Sequence, residues 1–500
     1  MKKNKIFLSF LLAAAMTGCI NDADIDSDNP APPVVQKGGV VFSFTVPNSS
    51  GGRSVEDSGI YDKGSADEYK MNNVRIYLFN STTKNIVKSF NVTLGAADTS
   101  TDVVKYTSPD KFSIDPGTYD LYAVANRTTA INAPTVDVLL SNIDSESYAT
   151  GSISSAEKGL IMSNRGTANQ NIQITQPATS DQTTNVTVRM ERAVAKLMLA
   201  KGKENFELTD DKGAVYATIN LSNYRYFNLS KKFYTFRHVA TIQDGNDDTY
   251  LIEPNYTVTP EFFGDVPSVN GYVIDPYFFK KTVAGAPDFV NQDGYYAQPF
   301  YQNAPENITS TLNAAGSYTS IYCLENNMYR PAQKRDYTTG IVFKGSMSVP
   351  TSRTFNEAGE NVEANSQTKL FYFNYNFYTS LKAVHDVGHA NVPENESDLT
   401  PEMQKKYGIK IFTKSSDGSF ACYYNYLIQH EKNSGFTMGV MEFSIVRNNI
   451  YKVMITSIDG LGTGTPDVEP GVDDKYKAYL NVDFAIYPWI VREDNNGNLE

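Results

Sequence analysis

GGVVFSFTVPNSSGGR, residues 38–53, opens as an alternating strand and ends on a single basic residue. Val40, Phe42, Phe44 and Val46 share one face, and Val41, Ser43 and Thr45 share the other. That period of two marks a strand with one buried face. The Pro/Asn/Ser/Gly run that follows is turn chemistry. Within it, Arg53-Ser54 is the kind of bond a trypsin-like protease cuts, with Lys37 and Lys63 as alternative basic sites. A core-quality strand therefore stands beside a cleavable loop.

The rest of the chain extends the β reading. Its 500 residues are 41% apolar, enough for more than one core, with 33 Tyr and 27 Phe against one Trp. Aromatic and β-branched residues favour pleated, half-buried surfaces, and Asn, Ser, Gly and Asp recur as turn signals. VRIYLFN (74–80), KFSI (111–114), YDLYAVAN (119–126) and NIQI (171–174) read as strands, and 135–159 has room for a short helix. VTVRMERAVAKLMLA (186–200) begins as a strand, although its Ala-rich part also allows a helix. Further strands are expected at 340–349, 369–378, 420–429, 438–446 and 450–458. Thr400 as cap, Pro401 in the first turn and Gly408 past the end predict a helix over 400–408. The expected fold is mainly β: two tandem β-sandwich domains, 38–185 and 186–462, with a few short helices. Residues 463–500 are expected as a linker and closing strand.

Residues 1–19 read as a targeting segment, with Lys2, Lys3 and Lys5 before an apolar run and Met16-Thr17-Gly18-Cys19 at its end. That tetrad resembles a bacterial lipobox, which implies diacylation of Cys19 and anchoring to the outer membrane. Residues 20–37, with alternating Asp22, Asp24, Asp26 and Asp28 and then prolines, read as an acidic, Pro-rich tether. Fully extended, it would reach about 60 Å at roughly 3.3 Å per residue.

The net charge of −12 argues against nucleic-acid binding. No motif points to catalysis. His385 and His389 lie four apart without the Glu of a zinc protease, and neither His238 nor His430 has a metal-ligand spacing. The glycines of DGLGTGTP (459–466) lack the strand-turn-helix context of a phosphate cradle. No metal and no cofactor is expected, nor any enzyme activity. Cys323 and Cys422 are compatible with one disulfide or with two buried thiols.

The opening strand has a counterpart at the other end. In YLNVDFAIYPW (479–489), Leu480, Val482, Phe484 and Ile486 alternate in step with Val40, Phe42, Phe44 and Val46. GTGTPDVEPGVDD (462–474), ahead of it, reads as a flexible stretch able to swing it away from its own body.

Taken together, these features resemble the fimbrillins of Bacteroidales type V pili, most closely the stalk subunit of the minor (short) fimbriae. The resemblance is carried by the lipobox, the early strand with Arg53, RAVAKLML (192–199), YCLENN (322–327) and TTGIVFKG (338–345). It continues in CYYNYLIQH (422–430), MGVMEFSIVRNNIYKVMITSIDGLG (438–462) and YPW (487–489). It implies a transthyretin-like fold and a lipidated precursor exported to the cell surface. An Arg-specific, trypsin-like protease would cut Arg53-Ser54 and release Val40–Val46. A C-terminal strand, here Leu480–Ile486, would then fill the vacated groove of the next subunit. The implied partners are identical copies and accessory fimbrial subunits, and the implied roles are adhesion and biofilm formation. The alternatives are an accessory or tip subunit, or a monomeric surface lipoprotein that binds glycan or host protein.

Overall fold

The computed structural model describes residues 38–47, 65–101, 103–145, 159–164, 169–175, 183–242, 256–259, 271–276, 278, 308, 310–327, 334–335, 337–430, 442–466 and 480–488. The fold is mainly β. Its first sheet contains β1 (Gly38–Pro47), β2 (Val74–Asn80), β3 (Ile86–Val92), β4 (Val103–Thr107), β5 (Phe112–Ile114) and β6 (Gly117–Ala125). After β7 (Ile143–Ser145), which lies elsewhere, the same sheet adds β8 (Met162–Asn164), β9 (Ile172–Ile174) and β10 (Thr183–Arg192). The order across these nine strands is β3-β2-β6-β8-β10-β1-β4, with β5 on β1 and β9 on β6. It curls round one apolar core to which Val74, Ile76, Leu78, Val188 and the inward face of β1 all contribute.

A second core lies between two sheets. One runs β19 (Thr319–Cys323), β11 (Ala195–Lys201), β26 (Asn449–Ile458), β27 (Leu480–Pro488). The other runs β12 (Phe206–Thr209), β13 (Val215–Phe227), β20 (Gly340–Ser348), β25 (Phe420–Leu427), with β18 (Ser310–Thr311) on β13. Leu197, Leu199 and Val453 from the first sheet meet Ile219, Phe343 and Phe420 from the second. Between β20 and β25 the chain builds a smaller sheet from β21 (Thr354–Phe355), β22 (Lys369–Phe373), β23 (Asn376–Tyr378) and β24 (Lys410–Thr413). β14 (Lys232–Tyr234) pairs with β7, tying the second half of the chain to the first. β15 (His238–Ile242), β16 (Tyr256–Thr259) and β17 (Gly271–Ile274) form a three-stranded sheet.

Several local expectations change. The segment 186–200 is two strands broken at Ala193-Val194, with β10 in the first sheet and β11 in the second. The change of sheet therefore falls after Arg192, because Val186, Val188 and Met190 face the first core. The stretch 369–378 is a hairpin: Asn374 and Tyr375 adopt φ of 46° and 61° and turn the chain between β22 and β23. The described part of 438–446 holds no strand, only an isolated bridge between Ile445 and Asn326. The start of the expected linker is fixed as well. Thr463 exchanges backbone hydrogen bonds with Tyr423 at 2.8 and 3.0 Å. A Cβ on Gly464 would strike the Ile411 carbonyl, so glycine here permits close backbone approach and does not supply flexibility. The Pro401–Tyr407 helix is capped by Thr400, whose hydroxyl accepts from Met403 N at 3.2 Å, and Gly408 closes it at φ 68°.

Candidate functional site: the slot filled by the opening strand

β1 lies inside the first sheet with partners on both edges. On one side it runs parallel to β10, from Gly39 opposite Thr183 to Thr45 opposite Arg189. On the other it runs antiparallel to β4, from Ser43 opposite Thr107 to Pro47 opposite Val103, and to β5 through Gly38–Val40. Among the described residues β4 and β5 have no other strand partner, although Lys105 makes an isolated bridge with Asp98. Taking β1 away would strip a ladder from β10 and disconnect β4 and β5 from the sheet. The inward face is sealed, since Val40, Phe42, Phe44 and Val46 are at most 1% exposed.

The pockets that hold these side chains differ. Phe42 sits against Phe112 and Phe90, with ring centroids at 5.6 and 6.0 Å, and those two rings stack at 4.8 Å. Phe44 stands opposite Val188 and Tyr106, and Val46 opposite Val104, all buried. The outward face is polar: Ser43 Oγ lies 3.1 Å from Thr107 Oγ1, and the Thr45 hydroxyl donates to the Val188 carbonyl at 3.5 Å.

β27 occupies a less enclosed place. Among the described residues it pairs only with β26, antiparallel, at one end of its sheet. Val482 stands opposite Ile455, Phe484 opposite Val453 and Ile486 opposite Tyr451. Leu480 is buried and Val482 half-buried against the second core. Cys19, Arg53 and Ser54 lie outside the described residues, as do 467–479 ahead of β27.

A second cluster, of buried charge, escaped the reading of individual residues. The Ala66–Tyr69 helix follows Arg53 in sequence, and its Glu68 is fully buried. Glu68 pairs with Lys196 Nζ at 2.7 Å, accepts from Tyr322 OH at 2.5 Å, and gives its backbone carbonyl to Arg192 Nε at 2.7 Å. Burial lowers the Arg192 guanidinium to about 10. Nearby, Arg447 grips Glu325 with two hydrogen bonds of 2.7 Å, both side chains having no exposure. Burial pushes the Glu325 carboxyl up against the opposing pull of Arg447. Arg237 pairs with buried Glu191 at 2.6 Å. Asn448 accepts from Arg192 N at 3.3 Å and donates its own N–H to the Val194 carbonyl at 2.7 Å.

Arg192 and Lys196 come from RAVAKLML, Tyr322 and Glu325 from YCLENN, and Arg447 and Asn448 from SIVRNN; these motifs are far apart in sequence and meet where the two halves of the chain join. The available signal was charge inside apolar runs, such as Arg192 beside Ala-Val-Ala and Arg447 after Phe-Ser-Ile-Val. Cys323 and Cys422 are both buried free thiols. Burial raises both, Cys422 to about 11.

A family model described as the major fimbrial subunit protein FimA matches residues 41–192. A second, described as major fimbrial subunit protein type IV, fimbrillin, C-terminal, matches residues 418–495. Among solved structures, a fimbrilin (FimA) from Porphyromonas gingivalis W83 is 16% identical over 92% of this chain and 100% of that one, with TM-score 0.40. The tip fimbrial protein Mfa3 from Porphyromonas gingivalis, truncated at its C-terminus, is 11% identical over 90% and 100%, with TM-score 0.34. A fimbrial assembly protein from Parabacteroides distasonis ATCC 8503 is 13% identical over 48% and 86%, with TM-score 0.26. No curated protein matches the chain. One fimbrillin model covers the sheet built around β1 and the other runs through β26 and β27, so the chain belongs to the fimbrillins, the subunits of fimbriae.

Proposed function

We propose that this fimbrillin polymerises by protease-triggered strand exchange, as a stalk subunit resembling that of the minor fimbriae. The precursor is lipidated at Cys19 and held at the outer membrane. An Arg-specific protease cuts Arg53-Ser54, and β1 leaves with the lipid, since Cys19 and Val40–Val46 lie on the same side of the bond. β27 of a second copy enters the vacated slot. The observation that carries this reading is the position of β1, sealed in the core and joining β10 to β4 and β5, yet followed in sequence by a basic residue after a Pro/Asn/Ser/Gly run.

The energetics favour the exchange. An empty slot would expose four apolar pockets, and refilling them contributes on the order of 6–12 kcal/mol before entropy. β27 exchanges a one-sided ladder on β26 for a two-sided one. Donor and acceptor surfaces differ, so the contact is head-to-tail and extends as a filament. Adhesion and biofilm formation would then be properties of the assembled fimbria, with accessory subunits at its ends.

Limited trypsin treatment of the purified 20–500 precursor tests the reading. Cleavage after Arg53 should yield a ladder of multimers on unboiled gels, and Phe484→Asp should abolish it while the uncut precursor stays folded. Cleavage that gives only stable monomers would instead favour a monomeric surface protein. A ladder from Phe484→Asp would place the donor elsewhere.

A further inference from the structure

The charge pattern around the slot adds something that the apolar match between β1 and β27 does not contain. The outward residues of β1 are Val41, Ser43 and Thr45, none charged. Thr45 is nonetheless flanked by two exposed cations, Arg189 directly opposite on β10 and Lys105 directly opposite on β4. The midpoint residue, Ser43, faces Thr187 on one side and Thr107 on the other. In the sequence of β27, Asn481, Asp483 and Ala485 alternate with the apolar set, which puts one carboxylate at the middle of the strand. When Leu480, Val482, Phe484 and Ile486 take the places of Val40, Phe42, Phe44 and Val46, Asp483 falls at the position of Ser43. Because that position is the midpoint, the placement holds for either direction of entry.

From there Arg189 and Lys105 each lie two residues along the neighbouring strand on the same face, a diagonal that long side chains span. Asp98, joined to Lys105 by a backbone bridge on the far side, feels the charge of that lysine. On its own body Asp483 stands opposite Met454, with Lys452 one diagonal step away. Among the described residues, the register thus sets position 483 diagonal to one cation on β26 and, in the slot, to two.

We propose that Lys105 and Arg189 form a charge-reading rim on the slot that selects the incoming strand of a second copy through its Asp483. This inference rests on the strand-exchange reading above. The departing strand offers Ser43 and Thr45 to the rim, whereas the arriving strand offers a carboxylate, so the rim favours the second copy over β1. Contacts of this kind act mainly on encounter rate and partner choice, and salt weakens them.

The test follows the rate of ladder formation after limited trypsin cleavage of the 20–500 precursor. Asp483→Lys should slow the ladder roughly tenfold at low salt by setting like charges together. Lys105→Glu with Arg189→Glu should slow it similarly from the acceptor side, with β27 unchanged. Combining all three substitutions should restore self-assembly to within about threefold, yet the triple variant should not co-polymerise with unaltered subunits. Thermal melting of each uncut precursor checks that β27 still docks on its own body. Unaltered rates for Asp483→Lys, or no recovery in the triple variant, would overturn the rim. Absence of any ladder from the unaltered chain would instead remove the exchange reading on which it depends.

Discussion

At the scale of single residues, the costliest groups are the buried charges between the two halves. Arg447 and Glu325 have no solvent exposure, so each depends chiefly on the other for charge compensation, with Arg447 also donating to the Tyr234 carbonyl at 2.6 Å. Arg447→Ala would strand the Glu325 carboxylate and should destabilise the precursor by about 3–5 kcal/mol in urea melts. His238 offers a separate handle. Its Nε2–H donates to the Leu140 carbonyl at 2.8 Å, its ring stacks on Tyr234 at 3.7 Å, and burial lowers its pKa to about 4. A base whose folded pKa is depressed is protonated more readily in the unfolded chain. Stability is therefore fully present above about 6.5, the unfolded value, and declines as pH falls toward 4. Between pH 7 and pH 5 the loss should be about 2 kcal/mol, and His238→Gln should flatten that part of the stability profile. The sequence displayed both residues, but not the partners that make them matter, because Glu325 and Leu140 are distant in the chain.

At the scale of elements, β1 and β27 share a pattern but differ in enclosure. Phe42 and Phe44 lie in a strand paired on both edges, so a void opened there has little room to collapse. Phe44→Ala should cost the uncut precursor about 3–5 kcal/mol in denaturant melts. After cleavage its effect should vanish, because the altered strand has left; a persistent effect would mean that β1 stays. Alternation identified β1, β2, β20 and β26 closely, and cap chemistry identified the Pro401–Tyr407 helix. Alternation failed over the described part of 438–446, residues 442–446, where Glu442 and Ser444 are buried with the apolar residues and the backbone turns instead of forming a ladder. It also overran 369–378, where left-handed Asn374 and Tyr375 fold one apparent strand into two.

At the scale of the whole molecule, the buried seam decides how the halves behave. Phe233, Phe236, Tyr322 and Ile450 come from the second half of the chain yet pack in the first core. Glu68 fastens the Ala66–Tyr69 helix, which follows Arg53 in sequence, to Arg192 of the first sheet and to Lys196 and Tyr322 of the second. A cut at Arg53 would thus free the segment before it while the chain from Ser65 onward stays tied to the body. The multimer ladder and the charge-swapped variants test the assembly at this scale. The free thiols of Cys323 and Cys422 stay buried within the subunit, so no disulfide between them contributes to its stability.

The sequence by itself determined the mainly-β class, the buried face of β1, the like alternation of 480–486 and the fimbrillin resemblance. Each of these is written in local alternation or in short motifs. Only the tertiary structure decided that β1 is held on both edges while β27 is held on one. It likewise decided that the chain changes sheet after Arg192, and that scattered Arg, Glu and Asn residues meet in one seam. The physical reason is that side-chain period fixes which face of a strand is buried, whereas hydrogen-bond partners and compensating charges come from distant parts of the chain and depend on how the sheets close.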